Sequence, residues 1–300
     1  MMLIPPDAAV AAVHTTPATV ADSYRRLLTL VGIAATPRRA ILIPRYARSL
    51  PFPGAGATPW QLETMTRLLL RAGVTSITAV LPARHSDMHG YTAIAAALGI
   101  DALRSAPQID HETLIVVLIP CRIDRHNGLF GATPGVAALF HSAAAIRNTP
   151  HTLPALAQVR RRGAQLLAVA DATTISDGRD AETEYAEVRS VLLASRDPAA
   201  LDATIAAQFG LDPLQDVAWL HEAHRQGWGT ADLHAMAICG DVEALNDRWG
   251  LATPSSRRAI GCCRRWTTAD ATTLVSWLRH TGWGRLFRNY QTRYALHSRR

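Results

Sequence analysis

The chain is 300 residues long, carries a formal charge of +7, and is nearly half hydrophobic with under a fifth of its residues charged. Such a chain buries a large core in one large or two modest domains, and the composition excludes a disordered polymer. No apolar run reaches the roughly 18 residues a membrane helix needs, and the opening MMLIPPDAAVAAVHTTP lacks a basic segment, so no transmembrane segment or signal peptide is read and a cytoplasmic location is expected.

All 31 Lys+Arg positions are arginine. The charge is uneven. Residues 251–300 hold ten arginines and one acid, Asp270, for a local +9, while the first 250 residues sum to −2. The basic character therefore belongs to the tail, and the overall charge says little about the body. Cysteines stand at 121, 239, 262 and 263. None has C-x-x-C spacing, so neither a disulfide framework nor a ferredoxin-type cluster is expected.

In chain order, RRAILIP (38–44) reads as a short strand ended by Pro44. ATPWQLETMTRLLLRAG (57–73) reads as a helix, with Thr58 at the N-cap, Pro59 at the first turn and Gly73 closing it. VTSITAVLP (74–82) is a strand and YTAIAAALGI (91–100) a helix. TLIVVLIP (113–120) is an uninterrupted apolar strand, the pattern of a sheet covered on both faces. A helix over 152–163 leads into the buried strand AQLLAVADA (164–172). SVLLAS (190–195) is a further strand, DPAALDATIAAQFG (197–210) a helix capped by Asp197, and 213–250 reads as helical. The alternation predicts an α/β body over residues 1–250, either one unit or two lobes meeting near 110–150. Its mostly parallel sheet is flanked by helices on both faces, and a basic helical Arg/Trp-rich extension follows over 251–300.

In such sheets ligands sit outside the carboxyl ends of the strands. Four strand ends carry polar chemistry. After the first come Arg45, Arg48, a glycine-rich turn and the helix beginning near Thr58, which together suit an anion. After the second, His85, Asp87 and His89 alternate, a spacing that suits a divalent metal as well as a solvated loop. The third, CRIDRH, supplies Cys121 as a nucleophile or ligand, Arg122 and Arg125 as anion holders, and His126 as an acid or base. The fourth supplies Asp171, which either orients His126, binds a cation or caps its strand. No nucleotide-binding fingerprint is present.

Several stretches occur in a familiar order: IPRYA (43–47), GATP (56–59), VLIPCRIDRHNGLFGATPGV (117–136), AVADATTISDG (168–178) and VLLASRDPAALDATIAAQFGLDP (191–213). Over roughly residues 38–235 the chain resembles the family called domain of unknown function 362. Its S-x-D-P-x-A-x-D run before G-x-D-P is matched here from Ser195 to Pro213. The resemblance implies an α/β fold with a strand-end site but supplies no reaction. The chain departs from the family where relatives carry Lys and Asn, having Arg45 and Tyr46 there, and again where relatives carry lysines and a His, having Cys121, Arg122 and His126. Ala138 and Leu139 stand near a later Lys-Asn pair. Chemistry that needs those amines is in question, since arginine is no general base. A looser, architectural likeness is to the lactate racemase group.

The expected function is a non-redox enzyme, an isomerase or lyase, acting on a carboxylated metabolite in a biosynthetic setting. His126, Cys121 and Asp171 would serve catalysis, and Arg45, Arg122, Arg125 and Thr58 would hold the substrate. The alternative is an accessory protein that holds a metal, through His85, Asp87 and His89, or an acidic ligand without turnover. The basic tail, with Trp277, Trp283, Phe287, Tyr290 and Tyr294 interleaved, either packs its aromatics on the body or docks an acidic carrier protein, a second copy or an anionic membrane surface; nucleic acid is not an expected partner.

Overall fold

A computed structural model describes residues 8–32, 37–45, 52–81, 89–103, 107–124, 128–140, 152–176, 186–249 and 280–295. In chain order the elements are β1 (Ala9–His14), α1 (Val20–Val31), β2 (Arg39–Pro44), α2 (Pro59–Arg71), β3 (Ser76–Val80), α3 (Tyr91–Leu98), β4 (Asp101–Leu103), β5 (Thr113–Asp124), β6 (Gly128–Leu129), α4 (Ala132–Val136), α5 (Thr152–Arg161), β7 (Gln165–Ser176), β8 (Ala186–Ser195), α6 (Pro198–Gln208), α7 (Ala218–Arg225), β9 (Ala237–Gly240) and α8 (Gly282–Ala295).

The strands form one mixed sheet in the order β4-β3-β2-β5-β7-β8-β1-β9, with β6 pairing β5 off that path. Neighbours from β4 to β7 run parallel. β8 is antiparallel to both β7 and β1, and β9 returns parallel to β1. The reversal has a simple cause. Fewer than ten residues separate Ser176 from Ala186, too few for the crossover helix a parallel pair needs.

Both faces of the sheet are covered. On one, α1, α2, α3 and α8 deliver Tyr24, Leu27, Trp60, Met65, Ile94 and Phe287 against Leu42, Val116, Leu118, Leu167 and Val169. On the other, α4 to α7 deliver Val136, Leu156, Leu201, Ile205 and Trp219 against Ile43, Val117, Ile119, Ala168 and Ala170. Alternate residues of β7 go to opposite clusters, as strand geometry requires. A strand buried on both sides has no room for polar residues until its end, which explains the apolar runs of β5 and β7. Each fully buried large side chain stabilises the fold by about 1.5–3 kcal/mol.

Three differences from the sequence reading stand out. β1 and α1 precede the first expected strand, and Val10, Ala11 and Ala12 are wholly buried. Alanine is a weak strand former, so AVAAVH carries little strand signal; pairing with β8 and β9 holds it in the sheet. The stretch read as helical over 213–250 contains only one α-helix of eight residues, α7, and also contributes β9. The strands expected at 113–120 and 164–172 run on to Asp124 and Ser176. α8, within the expected basic extension, buries Trp283, Phe287 and Tyr294 in the same cluster as α1 and α2, while Arg285 and Arg288 stay exposed. Among the described residues no helix is long and apolar enough to cross a membrane.

Asp197 joins α6 to the loop beyond α7. Its side chain accepts from Ala199 N (2.9 Å) and Ala200 N (3.4 Å) at the helix start, and from Thr230 N (2.7 Å). Gly229 allows that approach: a Cβ there would lie 2.6 Å from Asp197 Oδ1 and 2.5 Å from the Ala199 Cβ. Asp197→Ala is therefore expected to cost about 2 kcal/mol, as loss of a helix cap and a buried latch together. Urea denaturation measures that cost, and amide exchange should quicken at Thr230.

Candidate functional site

The strand order turns at β2. From it the chain moves outward to β3 and β4, then returns to place β5 on the other side of β2. The crevice beyond the carboxyl ends of β2 and β5 is thus a topological switch point, where an open α/β sheet leaves room for a ligand. Arg45 leaves β2 there and Arg122 lies near the end of β5.

Arg45 is pinned by its backbone. Its N–H donates to Leu118 O (2.8 Å) and its carbonyl accepts from Ala57 N (2.6 Å), which ties the loop before α2 to the strand end. Its side chain runs past Gly135, where a Cβ would fall 3.2 Å from Arg45 Cδ and 2.5 Å from Val117 Cγ1. The guanidinium centre lies 4.6 Å from the Phe130 ring centroid. Among the described residues no carboxylate is within ion-pair distance of it, and its Nε is buried without a hydrogen-bond partner. Burial lowers the Arg45 pKa to about 10, against the opposing pull of Asp124 and Asp202. Arg45 is a half-buried cation with its guanidinium centre over an aromatic ring. Its N–H groups are the ones that can grip an anion.

Arg122, only 5% exposed, comes to the same ring, its guanidinium centre 6.0 Å from the centroid. Its Nη1 reaches Ala55 O at 3.4 Å, and its backbone carbonyl accepts from Phe130 N at 3.1 Å. Two of the arginines expected to hold a substrate therefore meet at Phe130.

Asp171 and Thr58 also come together. Asp171 Oδ2 accepts from Thr58 Oγ1 (2.7 Å), Trp60 Nε1 (2.8 Å) and Tyr24 Oη (3.0 Å), and Oδ1 accepts from Thr173 N (2.9 Å). The Thr58 hydroxyl in turn caps α2 through Gln61 N (3.3 Å). The start of α2, expected to cradle an external anion, holds the carboxylate of Asp171. Burial first, then Asp171, pushes the Tyr24 phenol well up, so it stays a donor.

Asp202 acts similarly on α4. Its Oδ1 accepts from Ala132 N and its Oδ2 from Thr133 N, each at 2.7 Å. Gly131 makes this approach possible, because a Cβ there would lie 2.6 Å from both Asp202 Oδ2 and Trp219. Ser195 completes the set: its Oγ donates to Ala9 O (2.8 Å) and accepts from Asp197 N (3.1 Å). The polar residues of the S-x-D-P-x-A-x-D run thus all bond backbone groups.

Cys121 is fully buried, and burial, then Asp171 and Asp202, raises its pKa well above the usual thiol value. It is held as a thiol, whereas nucleophilic attack needs the thiolate. His89 is 3% exposed; its Nε2 lies 3.3 Å from Phe52 O and its ring stacks on Tyr91 at 5.5 Å. His85, Asp87, Arg125 and His126 lie outside the described residues, as does Arg48. Among the described residues no group of three His, Cys, Asp or Glu side chains is placed to hold a metal ion.

Sequence reasoning missed Phe130 and Asp202 as parts of this edge. Phe130 was legible as the one aromatic in the polar stretch after β5, placed to stack with arginine. Asp202 carried a weaker signal, an acid on an otherwise apolar helix that can only be buried if backbone donors meet it.

No protein-family model matches the chain, and no curated protein or solved structure matches it either.

Burial raises the Asp202 pKa to about 7, outweighing the hydrogen bonds from Thr133 and Ala132 that lower it. A carboxylate whose folded pKa exceeds its unfolded value near 3.9 gives most stability below that value and loses it as pH rises through the window to about 7. Asp202→Asn removes that titration. Wild-type stability should fall relative to Asp202→Asn by up to about 4 kcal/mol between pH 4 and pH 7 and run parallel to it above, as read by denaturant unfolding at each pH.

Proposed function

We propose that the chain is an enzyme that binds a small carboxylated metabolite at the switch point between β2 and β5 and carries out non-redox proton transfer on it, by isomerisation, epimerisation, elimination or cyclisation. The observation that supports this reading is Arg45. A half-buried guanidinium whose Nε is buried without a hydrogen-bond partner, and which among the described residues has no carboxylate within ion-pair distance, is costly to the fold, and such a cost is kept where a ligand offsets it. Arg45 and Arg122 present two cations at one aromatic ring, and their planar forks suit a carboxylate bidentately. The resemblance to the domain-of-unknown-function family 362 agrees with a strand-end site. In this reading His126 moves the proton and Arg125 adds to the anion-holding charge.

One observation favours a second reading, an acid-binding accessory protein without turnover. Asp171 and Asp202 spend their oxygens on internal donors, and Cys121 is held as a thiol, so none of the three is an available base. Of the three residues expected to serve catalysis, His126 is then the one left to act as the base.

The test is calorimetric titration with a panel of small carboxylates, followed by proton NMR of any binder in heavy water with the protein present. Exchange of a carbon-bound proton supports the enzyme, and its loss in His126→Ala assigns the base. Binding without exchange selects the accessory reading. Arg45→Met keeps the side chain's apolar stem against Gly135 and Val117 but removes the charge. It should weaken carboxylate binding tenfold or more while holding or raising the melting temperature, because among the described residues the cation lost has no carboxylate within ion-pair distance. Unchanged affinity would overturn the assignment of the site.

A further inference from the structure

Between the pairs Pro120↔Asp171 and Arg122↔Ser176, β5 advances two residues while β7 advances five. Ala172, Thr173, Thr174 and Ile175 therefore stand opposite Cys121 alone. The distortion carries into the next strand. Between Ala172↔Val191 and Thr174↔Val188 the neighbour β8 takes one extra residue, and its Ser190 adopts φ 58°, a left-handed conformation rare outside glycine. Bulges of this kind bend a strand and re-aim its side chains, and they concentrate beside functional sites.

The bulge contains an unsettled polar balance. Thr173 and Thr174 are 0% and 1% exposed, yet neither hydroxyl has a hydrogen-bond partner. Leaving a buried hydroxyl unmatched costs about 1–3 kcal/mol. The loop before α2 closes over the same place: a Cβ at Gly54 would lie 3.0 Å from Thr174 O and 3.5 Å from the Ser176 Cβ, and φ is +95° there, so only glycine fits without strain. Arg122, whose register partner is Ser176, reaches that loop at Ala55 O. Two buried hydroxyls and a guanidinium thus occupy the β5–β7 end, one strand away from Arg45 at the end of β2.

We infer that the ligand carries two separate acid groups, one gripped by Arg45 and the other received by Arg122 with the hydroxyls of Thr173 and Thr174. This inference rests on the carboxylate-binding reading above and narrows it to dicarboxylates. A single carboxylate on Arg45 would leave both hydroxyls unmatched. A second acid group gives each an acceptor beside a cation, where a charge-assisted hydrogen bond is about twice as strong as a neutral one.

The experiment compares malonate, succinate, glutarate and adipate with their monomethyl esters by calorimetric titration against the full chain. Each ester keeps the length and removes one charge. One diacid of fitting length should bind at least tenfold more tightly than its own ester, and the double variant Thr173→Val/Thr174→Val should bring that ratio to about one. Valine matches threonine in shape, and removing a hydroxyl without a partner should leave the melting temperature unchanged or raise it. Equal affinity of every diacid and its ester, or a ratio the double variant leaves intact, overturns the inference while carboxylate binding stands. A lower melting temperature in the double variant overturns it too, because the hydroxyls would then serve the scaffold. Binding of neither series overturns the carboxylate reading itself.

Discussion

Asp171 sits where water cannot reach it, at the point where a strand buried on both faces meets the polar edge of the sheet. A carboxylate in that position is tolerable only if donors surround it. Four do, and they come from far apart in the chain: Tyr24 from α1, Thr58 and Trp60 from the start of α2, and Thr173 from the strand itself. Much else follows from this demand. Thr58 can serve Asp171 and cap α2 together because the helix starts at that spot. Trp60 must point its indole N–H inward, which leaves its ring to be covered. α8 covers it, with Trp283, Phe287 and Tyr290 rings centred 5.7, 6.3 and 6.0 Å away.

The same solution recurs across the edge. Asp197 and Asp202 bond backbone N–H groups at the starts of α6 and α4, and Asp171 bonds the Thr58 and Trp60 side chains at the start of α2. This changes what the edge can bind. These helix starts already face a carboxylate of the protein, and among the described residues Arg45 has none within ion-pair distance. An anion arriving at this edge would meet a planar guanidinium fork, which suits carboxylate and phosphate alike.

The alternation of strands and helices was legible in the sequence because β5 and β7 are apolar on both faces and α2 and α6 carry proline at the first turn after a capping residue. β1 was hidden because its stability comes from neighbours at residues 191–195 and 237–240, which no local window contains. The direction of β8 was not legible, because the strands read at 164–172 and 190–195 left 17 residues between them, and only the extension of β7 to Ser176 and of β8 back to Ala186 makes the connection too short for a crossover. At the site, Arg45, Arg122, Thr58 and Asp171 were named from their position after strands, and strand ends do gather them. Their roles were less legible. A residue's type does not say whether its partner is a ligand or the protein's own helix, and only tertiary contact distinguished Asp171, spent on three side chains and a backbone N–H, from Arg45, which among the described residues has no acid within ion-pair distance.

The packing of α8 also bears on how the molecule is made. Residues 282–295 leave the ribosome after all the other described elements have been synthesised, and Trp60 waits more than 200 residues for the rings that cover it. The bonds from Tyr24, Thr58 and Trp60 to Asp171 span 147, 113 and 111 residues. Such separations make for slow, late-closing assembly, because loop entropy is lost before the contacts form. Until α8 is synthesised the Trp60 indole lacks the three rings that cover it, so the aromatic helix is the element whose arrival completes that face.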